Sequence, residues 1–149
     1  MFLPKGASMW KRQYTKTVEG ISTEDVWKQW IDIDHWADWH GDLDYCRLNG
    51  SFTVGSTFIL KPKGMKPVEI ELTEINEGES FRDCTRFPGA RMFDTHTVRT
   101  VSSGVEISNE LTISGPLSFL WFFLVGRNVA ASVPEEMEAL VARIKGAKA

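Results

Sequence analysis

The chain has 149 residues, which is the length of a single domain. Apolar residues make up 42% and charged residues 25%, a balance typical of a soluble globular protein and not of a disordered one. The net charge of −3 excludes the basic excess expected of a nucleic-acid binder. The aromatic content is unusual, because four of the six Trp, at positions 27, 30, 36 and 39, lie close together in the sequence.

The cysteines and the apolar runs indicate the compartment. Cys46 and Cys84 are too few for a disulfide scaffold and lack metal-ligand spacing, so we expect two free thiols in a reducing cytoplasm. The N-terminus contains no apolar stretch of signal-peptide length. The longest apolar run, residues 117–125, is shorter than the roughly 20 residues that a membrane-spanning helix needs. We therefore expect a cytoplasmic protein without a transmembrane segment.

The first predicted elements are a strand and two short helices. Residues 10–19 mix Tyr, Thr and Val with polar residues, which is typical of a strand, and Gly20 ends it. Ser22 then provides an N-cap with Asp25 three residues later, a helix start signal. The apolar residues that follow fall on one arc of this helix. A second short helical turn spans residues 34–40.

The middle of the chain predicts an antiparallel sheet. Over residues 43–114, short runs rich in Val, Ile, Thr and Phe alternate with Gly or charged turns, a spacing typical of a meander of about six strands. Residues 68–74 alternate strictly between apolar and polar side chains, so one face of the sheet should be buried and the other hydrated.

The last hairpin of this sheet allows the strand register to be predicted. A turn at Ser102 and Ser103 pairs His96 with Asn109 on a mainly apolar face. The same register places Asp94, two residues before His96, on that face. Three polar side chains are therefore expected together on the buried side of the sheet.

A long helix is predicted after the sheet. Gly115 ends the last strand, and Pro116 suits the first turn of a helix that continues to Lys145. Pro134 lies inside this helix and should kink it. At about 100° per residue, apolar and small side chains form one stripe that should face the sheet. The stripe comprises Phe119, Phe122, Phe123, Gly126, Val129, Ala130, Val133, Met137, Leu140, Val141 and Ile144.

A second apolar patch lies on the back of the first two turns of this helix. It comprises Leu117, Leu120, Trp121 and Leu124, and we call it the back patch. Exposed apolar patches of this kind mark interaction surfaces. We therefore expect one of two arrangements. Either Phe2 and Leu3 of the N-terminal arm cover the back patch, or the patch forms a homodimer or binds another partner.

Several short motifs make the order of elements more specific. They are residues 23–27 (TEDVW), 35–39 (HWADW), 113–117 (ISGPL), 126–128 (GRN) and 134–140 (PEEMEAL). With them, the chain resembles the START-like superfamily of the birch-pollen-allergen type (SRPBCC), in particular its bacterial polyketide cyclase/dehydrase-like branch. The resemblance covers residues 10–146 as one domain and leaves residues 1–9 as an N-terminal arm. It implies an α+β helix-grip fold, with a curved antiparallel sheet of about seven strands wrapped around a long C-terminal helix and two short helices after the first strand.

The resemblance also implies an apolar cavity between the sheet and the long helix, where the small side chains of Gly126 and Ala130 leave space. The cavity is expected to bind a small hydrophobic molecule such as a lipid, an isoprenoid or an aromatic polyketide-like compound. In one variant of this hypothesis the protein also transports the molecule. No cofactor is expected. The predicted ligand-binding residues are Trp36, Trp39, Phe58, Leu60, Ile70, Leu72, His96, Val98, Ile107, Asn109, Phe119, Phe122, Phe123, Gly126, Ala130, Val133 and Met137.

Two other functions stay open. A cyclase or dehydratase would use His96 as general base, Asp94 to orient it and Asn109 to polarise a substrate carbonyl; without chemistry, the same side chains would hold the polar end of a ligand. A protein-interaction module would instead use the back patch. No metal site is expected at His35 and His40, because a spacing of five residues does not match a helical ligand pair.

Overall fold

The computed structural model describes residues 9–148, which form one antiparallel sheet and the helices packed on it. The elements follow in the order β1 (Met9–Val18), α1 (Thr23–Ile31), a 3₁₀ helix (Ile33–Asp38), β2 (Leu43–Asn49), β3 (Thr57–Pro62), β4 (Val68–Asn76), β5 (Ser80–Phe87), β6 (Ala90–Val101), β7 (Gly104–Ser114), α2 (Ser118–Trp121), a π-helix (Phe122–Gly126) and α3 (Arg127–Lys148). The predicted helix-grip architecture is confirmed.

The sheet has seven strands in the order β1-β7-β6-β5-β4-β3-β2, so the first strand pairs with the last one in the chain. The predicted register of the β6–β7 hairpin is confirmed, with His96 opposite Asn109. On the hydrated face of that hairpin, Arg99 Nε donates to Glu106 Oε1 at 2.7 Å. The register shifts in β4 between Leu72 and Glu74, an irregularity of the kind that bends a strand.

Helix α1 begins where its start signal predicts. Ser22 Oγ accepts a hydrogen bond from the Asp25 backbone N–H at 3.1 Å, and the Ser22 N–H donates to the Asp25 carboxylate at 2.9 Å. This reciprocal capping box satisfies backbone donors that the helix cannot satisfy itself. The capped helix buries Val26 and Trp30 against the sheet.

Two buried clusters fill the space between the sheet and the helices. The larger one contains Trp30, Phe58, Phe81 and Met137, from α1, β3, β5 and α3 respectively. The smaller one, around Ile113 of β7, packs beneath the π-helix. Each large apolar side chain buried in this way contributes roughly 1.5–3 kcal/mol to stability.

The C-terminal helix differs from the prediction in its first turns. Phe119 and Phe123 are 78% and 60% exposed, and the residues nearest the sheet there are Ser118, Phe122 and Gly126, spaced by four. The reason is the π-helix, whose i to i+5 hydrogen bonds place more residues in each turn than the regular helix on which the predicted stripe depends. In α3 the predicted phase holds and the sheet-facing side chains are buried. They are Val133, Met137, Leu140, Val141 and Ile144.

Gly126 has a different role from the predicted one. It is buried, and a Cβ at this position would lie 2.5 Å from Ile113 Cδ1 and 3.4 Å from the Trp10 ring. Its missing side chain therefore lets the helix approach β7 closely and leaves no cavity there. Phe122 packs beside it, with its ring centroid 4.2 Å from that of Trp10.

The back patch is only partly free. The Trp121 ring stacks on Phe87 with centroids 4.4 Å apart, and Trp121 Nε1 donates to the Pro88 carbonyl at 2.8 Å. Leu117, Leu120 and Leu124 are 44%, 47% and 55% exposed. The predicted cover by Phe2 and Leu3 lies outside the described residues. None of the helices within residues 9–148 is long and apolar enough to cross a membrane.

Candidate functional site

A cavity of about 110 Å³, partly open to solvent, lies between the buried face of the sheet and α3. Helix α1 and the 3₁₀ helix close one side of it, and most of its walls are aromatic or aliphatic. The lining residues are Trp30, Trp36, Trp39, His40, Phe58, Leu60, Ile70, Phe81, Asp83, Thr85, Met92, Asp94, His96, Ile107, Asn109, Val133, Glu136, Met137 and Leu140.

Strand periodicity brings the polar side chains of the cavity together. Side chains two residues apart share one face of a strand, so Asp94 and His96 of β6 both face the cavity. The β5–β6 register pairs Asp83 with Asp94, and the β6–β7 register pairs His96 with Asn109. Three adjacent strands thus contribute one polar cluster in an otherwise apolar wall. We call these four residues the sheet cluster.

Hydrogen bonds fix the positions of three of the four side chains in the sheet cluster. Asn109 Nδ2 donates to Asp94 Oδ1 and lies 3.4 Å from His96 Nδ1. His96 Nε2 lies 3.3 Å from the same Asp94 oxygen. Because an N–H donor faces Nδ1, the proton of a neutral His96 belongs on Nε2, where it can be donated to Asp94. The His96 ring also stacks on Phe81 with centroids 4.5 Å apart, so its orientation is well defined.

The fourth member, Asp83, has a different environment. It is only 6% exposed, and its carboxyl has no hydrogen-bond partner among residues 9–148. Burial raises the pKa of Asp83 well above that of an ordinary aspartate, and the nearby charges of Asp94 and Glu136 raise it further. Burial also raises the pKa of Asp94, although His96 and Asn109 oppose that effect. Two facing buried carboxyls of this kind hold a proton between them more readily than they hold two charges.

On the helix side of the cavity, His40 Nε2 lies 3.2 Å from Glu136 Oε2. Burial by itself lowers the pKa of His40, but the hydrogen bond and the charge of Glu136 outweigh it, so the pKa is raised overall. His35 pairs instead with Asp32 at 2.8 Å, so His35 and His40 do not share a site. Within residues 9–148, Asp83, Asp94 and His96 lie close enough to share a cation, since their ligand atoms all lie within 4.8 Å of one another.

Ten predicted ligand-binding residues line this cavity: six on the sheet, two on α3, and two in or directly after the 3₁₀ helix. They are Trp36, Trp39, Phe58, Leu60, Ile70, His96, Ile107, Asn109, Val133 and Met137. Leu72 and Val98 are buried in the adjacent core instead. The structure places the remaining five away from the cavity, at the start of the C-terminal helix: Phe119, Phe122, Phe123, Gly126 and Ala130.

Eight lining residues were not among the predicted ligand-binding set: three in β5, two in α3, and one each in α1, in β6 and after the 3₁₀ helix. They are Trp30, His40, Phe81, Asp83, Thr85, Met92, Glu136 and Leu140. A pattern that could have identified Asp83 is present: a two-residue turn at Pro88 and Gly89 pairs Phe87 with Ala90 and, counting back, Asp83 with Asp94.

A seven-stranded sheet around a long helix, with a largely apolar cavity between them, defines a helix-grip protein. The sequence matches the family of polyketide cyclases/dehydrases and lipid transport proteins over residues 9–145, and the chain belongs to this family. The predicted membership of the START-like superfamily is thereby confirmed. A search of curated proteins found no significant match.

Solved structures share the fold at low sequence identity. The di-domain ARO/CYC StfQ from the steffimycin biosynthetic pathway is 10% identical, with 97% of this chain and 53% of that chain covered and a TM-score of 0.77. Ara h 8.0201 is 13% identical, with 93% and 99% covered and a TM-score of 0.71. The hypothetical protein jhp0584 from Helicobacter pylori is 16% identical, with 91% and 86% covered and a TM-score of 0.68. At these identities the similarity establishes the fold alone.

Proposed function

We propose that this protein binds a small hydrophobic molecule with one polar end in the cavity between the sheet and α3. The observation that carries the proposal is the make-up of the cavity wall, which is apolar apart from the sheet cluster, Thr85 and the His40–Glu136 pair. Affinity comes from the burial of ligand carbon, at roughly 25 cal/mol per Å². The polar cluster orients the ligand, because a buried polar group is costly unless it is hydrogen-bonded.

The cavity volume restricts the size of the ligand. An engineered apolar cavity of about 150 Å³ binds benzene, so the volume of about 110 Å³ favours a single ring or a short branched chain. A lipid, an isoprenoid or a multi-ring polyketide would insert only a terminal group of this size, or would require the cavity to widen.

A second candidate function is acid–base catalysis by His96. The observation that favours it is the geometry of the β6–β7 hairpin, in which His96 Nε2 lies 3.3 Å from Asp94 and Asn109 lies beside both. A base oriented by a carboxylate, next to an amide donor, is an arrangement used for proton abstraction beside a carbonyl. Here it requires the Asn109 amide to turn away from Nδ1, the ring nitrogen that keeps its lone pair. The ARO/CYC protein with the same fold is consistent with cyclase chemistry on this scaffold. Under this function His96→Ala should lower turnover of a discovered substrate at least about a hundredfold, whereas a change in affinity alone contradicts it.

The binding proposal can be tested by filling the cavity. Val133 is buried and lines the cavity, whereas Ala131, two residues earlier on α3, is exposed. In Val133→Phe the added ring occupies the binding space, and in Ala131→Phe the same ring enters solvent. The measurement is native mass spectrometry of protein purified without detergent, followed by calorimetric titration with small aromatic probes. We expect the wild type and Ala131→Phe to bind and Val133→Phe not to bind. Equal binding by all three proteins contradicts the proposal.

A further inference from the structure

We propose that the sheet cluster is a cation site and that the ligand is a small hydrophobic amine, bound as its ammonium ion. This inference rests on the proposed binding function and names the chemical class of the ligand. It is carried by the charges that face the cavity, by the unpartnered carboxyl of Asp83 and by the spacing of the acceptor groups.

The titratable groups around the cavity are acidic in balance. Three carboxyl groups, those of Asp83, Asp94 and Glu136, face two imidazoles, those of His40 and His96. Among residues 9–148, no Lys or Arg side chain lines the cavity. A ligand carboxylate or phosphate would therefore meet more carboxyl groups than imidazoles, and a low-dielectric site magnifies the cost of this repulsion. A cationic head meets opposite charge instead.

The carboxyl of Asp83 lacks a partner in the cavity wall. Its side chain is more than nine-tenths buried, lines the cavity, and has no hydrogen-bond partner within the described chain. A buried carboxylate without a partner is expensive, and its charged form is stabilised only by a nearby cation or by donors. Asp94, directly opposite on β6, already accepts from Asn109 through one oxygen and keeps further acceptor capacity.

The spacing suits an ammonium group. An ammonium has three donors and no acceptor, and each charge-assisted hydrogen bond spans about 2.7–2.9 Å. Since the ligand atoms of Asp83 and Asp94 lie within 4.8 Å of each other, one nitrogen between them reaches both carboxyls. The rings of Trp30 and Phe81 form the adjacent wall and favour a cation as well as the apolar body that carries it.

The same three groups fit a divalent metal less well. A metal needs the lone pair of His96 Nε2, and a metal-bound imidazole normally donates its other N–H to an acceptor. Here Nδ1 faces the Asn109 amide N–H instead, so Nε2 carries the proton and points at Asp94. A protonated Nε2 is a hydrogen-bond donor and not a ligand. The hydrogen bonding therefore favours an organic ammonium over a metal ion.

The test compares three probes that share one ring and one further carbon: benzylamine, benzyl alcohol and benzoate. Each is titrated by calorimetry at pH 7 into the wild type and into Asp83→Asn, which has nearly the same shape but no charge. Glu69→Gln, on the exposed face of β4, is the matched control for the change in net charge. A separate titration uses Zn²⁺ alone.

We expect the wild type and Glu69→Gln to bind benzylamine at least about tenfold more tightly than benzyl alcohol, and benzoate to bind weakest. In Asp83→Asn the benzylamine preference should fall to about threefold or less, with benzyl alcohol affinity within about twofold of the wild type. If Asp83→Asn does not fold, Asp94→Asn replaces it in the test and should lose the same preference for benzylamine.

Each contrary result has its own meaning. Binding of benzyl alcohol without any preference for benzylamine overturns this inference and leaves the proposed binding function standing. Tight Zn²⁺ binding that Asp83→Asn abolishes, again without an amine preference, overturns it in favour of a metal site. Failure of all three organic probes to bind overturns the single-ring binding function together with this inference.

Discussion

Asp83 should lower the stability of the ligand-free protein at neutral pH, so Asp83→Asn should raise it. Burial, then Asp94 and Glu136, raise the folded-state pKa of Asp83 well above the unfolded value of about 3.9. The folded protein therefore binds a proton that the unfolded chain releases, and stability falls as pH rises from the unfolded pKa towards the raised folded one. For one proton the slope is about 1.4 kcal/mol per pH unit. Asparagine keeps the shape, removes the charge and provides donors facing Asp94.

The magnitude follows from the missing hydrogen bond and the lost repulsion. A buried, unsatisfied group costs about 1–3 kcal/mol. We therefore expect the free energy of unfolding of Asp83→Asn to exceed that of the wild type by an amount of this order at about pH 8, and by almost nothing at about pH 4. The assay is urea unfolding followed by Trp fluorescence at both pH values. The difference between variant and wild type at each pH cancels the titration of most other groups, His40 among them.

The control and the refuting result are well defined. Glu69→Gln removes an exposed carboxylate and should change stability by no more than about 0.5 kcal/mol at either pH. A gain in Asp83→Asn of equal size at both pH values would show that charge is not the cause. A loss of stability at the higher pH would show that other groups in the folded protein already stabilise the Asp83 carboxylate. Asp83 would then not need a bound cation.

Three further predictions concern the framework around the site. Ser22→Ala removes the acceptor for the Asp25 N–H and should lower the free energy of unfolding by about 1 kcal/mol; an unchanged urea midpoint contradicts the role of the cap. Gly126→Ala gains up to about 1 kcal/mol in helix propensity, but the new methyl group crowds Ile113 Cδ1 at a cost of about 1–3 kcal/mol. The thermal midpoint should therefore fall. A rise would mean that Ile113 moves aside freely. The predicted homodimer through the back patch should dissociate in Leu124→Asp, as measured by light scattering after size exclusion; a wild type that is already monomeric contradicts it.

Local pattern was sufficient to predict much of the fold. The capping box at Ser22 involves residues three positions apart, so no distant contact was needed to predict the start of α1. The β6–β7 register follows from one short turn and the period of two, which is why His96 and Asn109 could be paired from the sequence. The buried positions of α3 follow from regular helical periodicity.

The candidate site was predictable to a lesser extent, since a cavity depends on several elements at once. Asp83 is one example: the turn at Pro88 and Gly89 is enough to pair it with Asp94, but its burial in a cavity wall depends on the elements that pack over the sheet. Glu136 lies on the edge of the helix that an amphipathic pattern assigns to solvent, yet it reaches the cavity and pairs with His40.

Spacing along the chain was enough to predict the helix-grip order of elements, the α+β class and a polar cluster on the buried face of β6 and β7. The side chains that enclose the cavity could not be predicted in this way, because they depend on packing between elements. The π-helix from Phe122 to Gly126 turns Phe119 and Phe123 towards solvent, and the packing of α3 brings Glu136 to His40 in the cavity wall. Both effects depend on how distant segments pack, and they decide the size of the cavity and the charge that a ligand meets there.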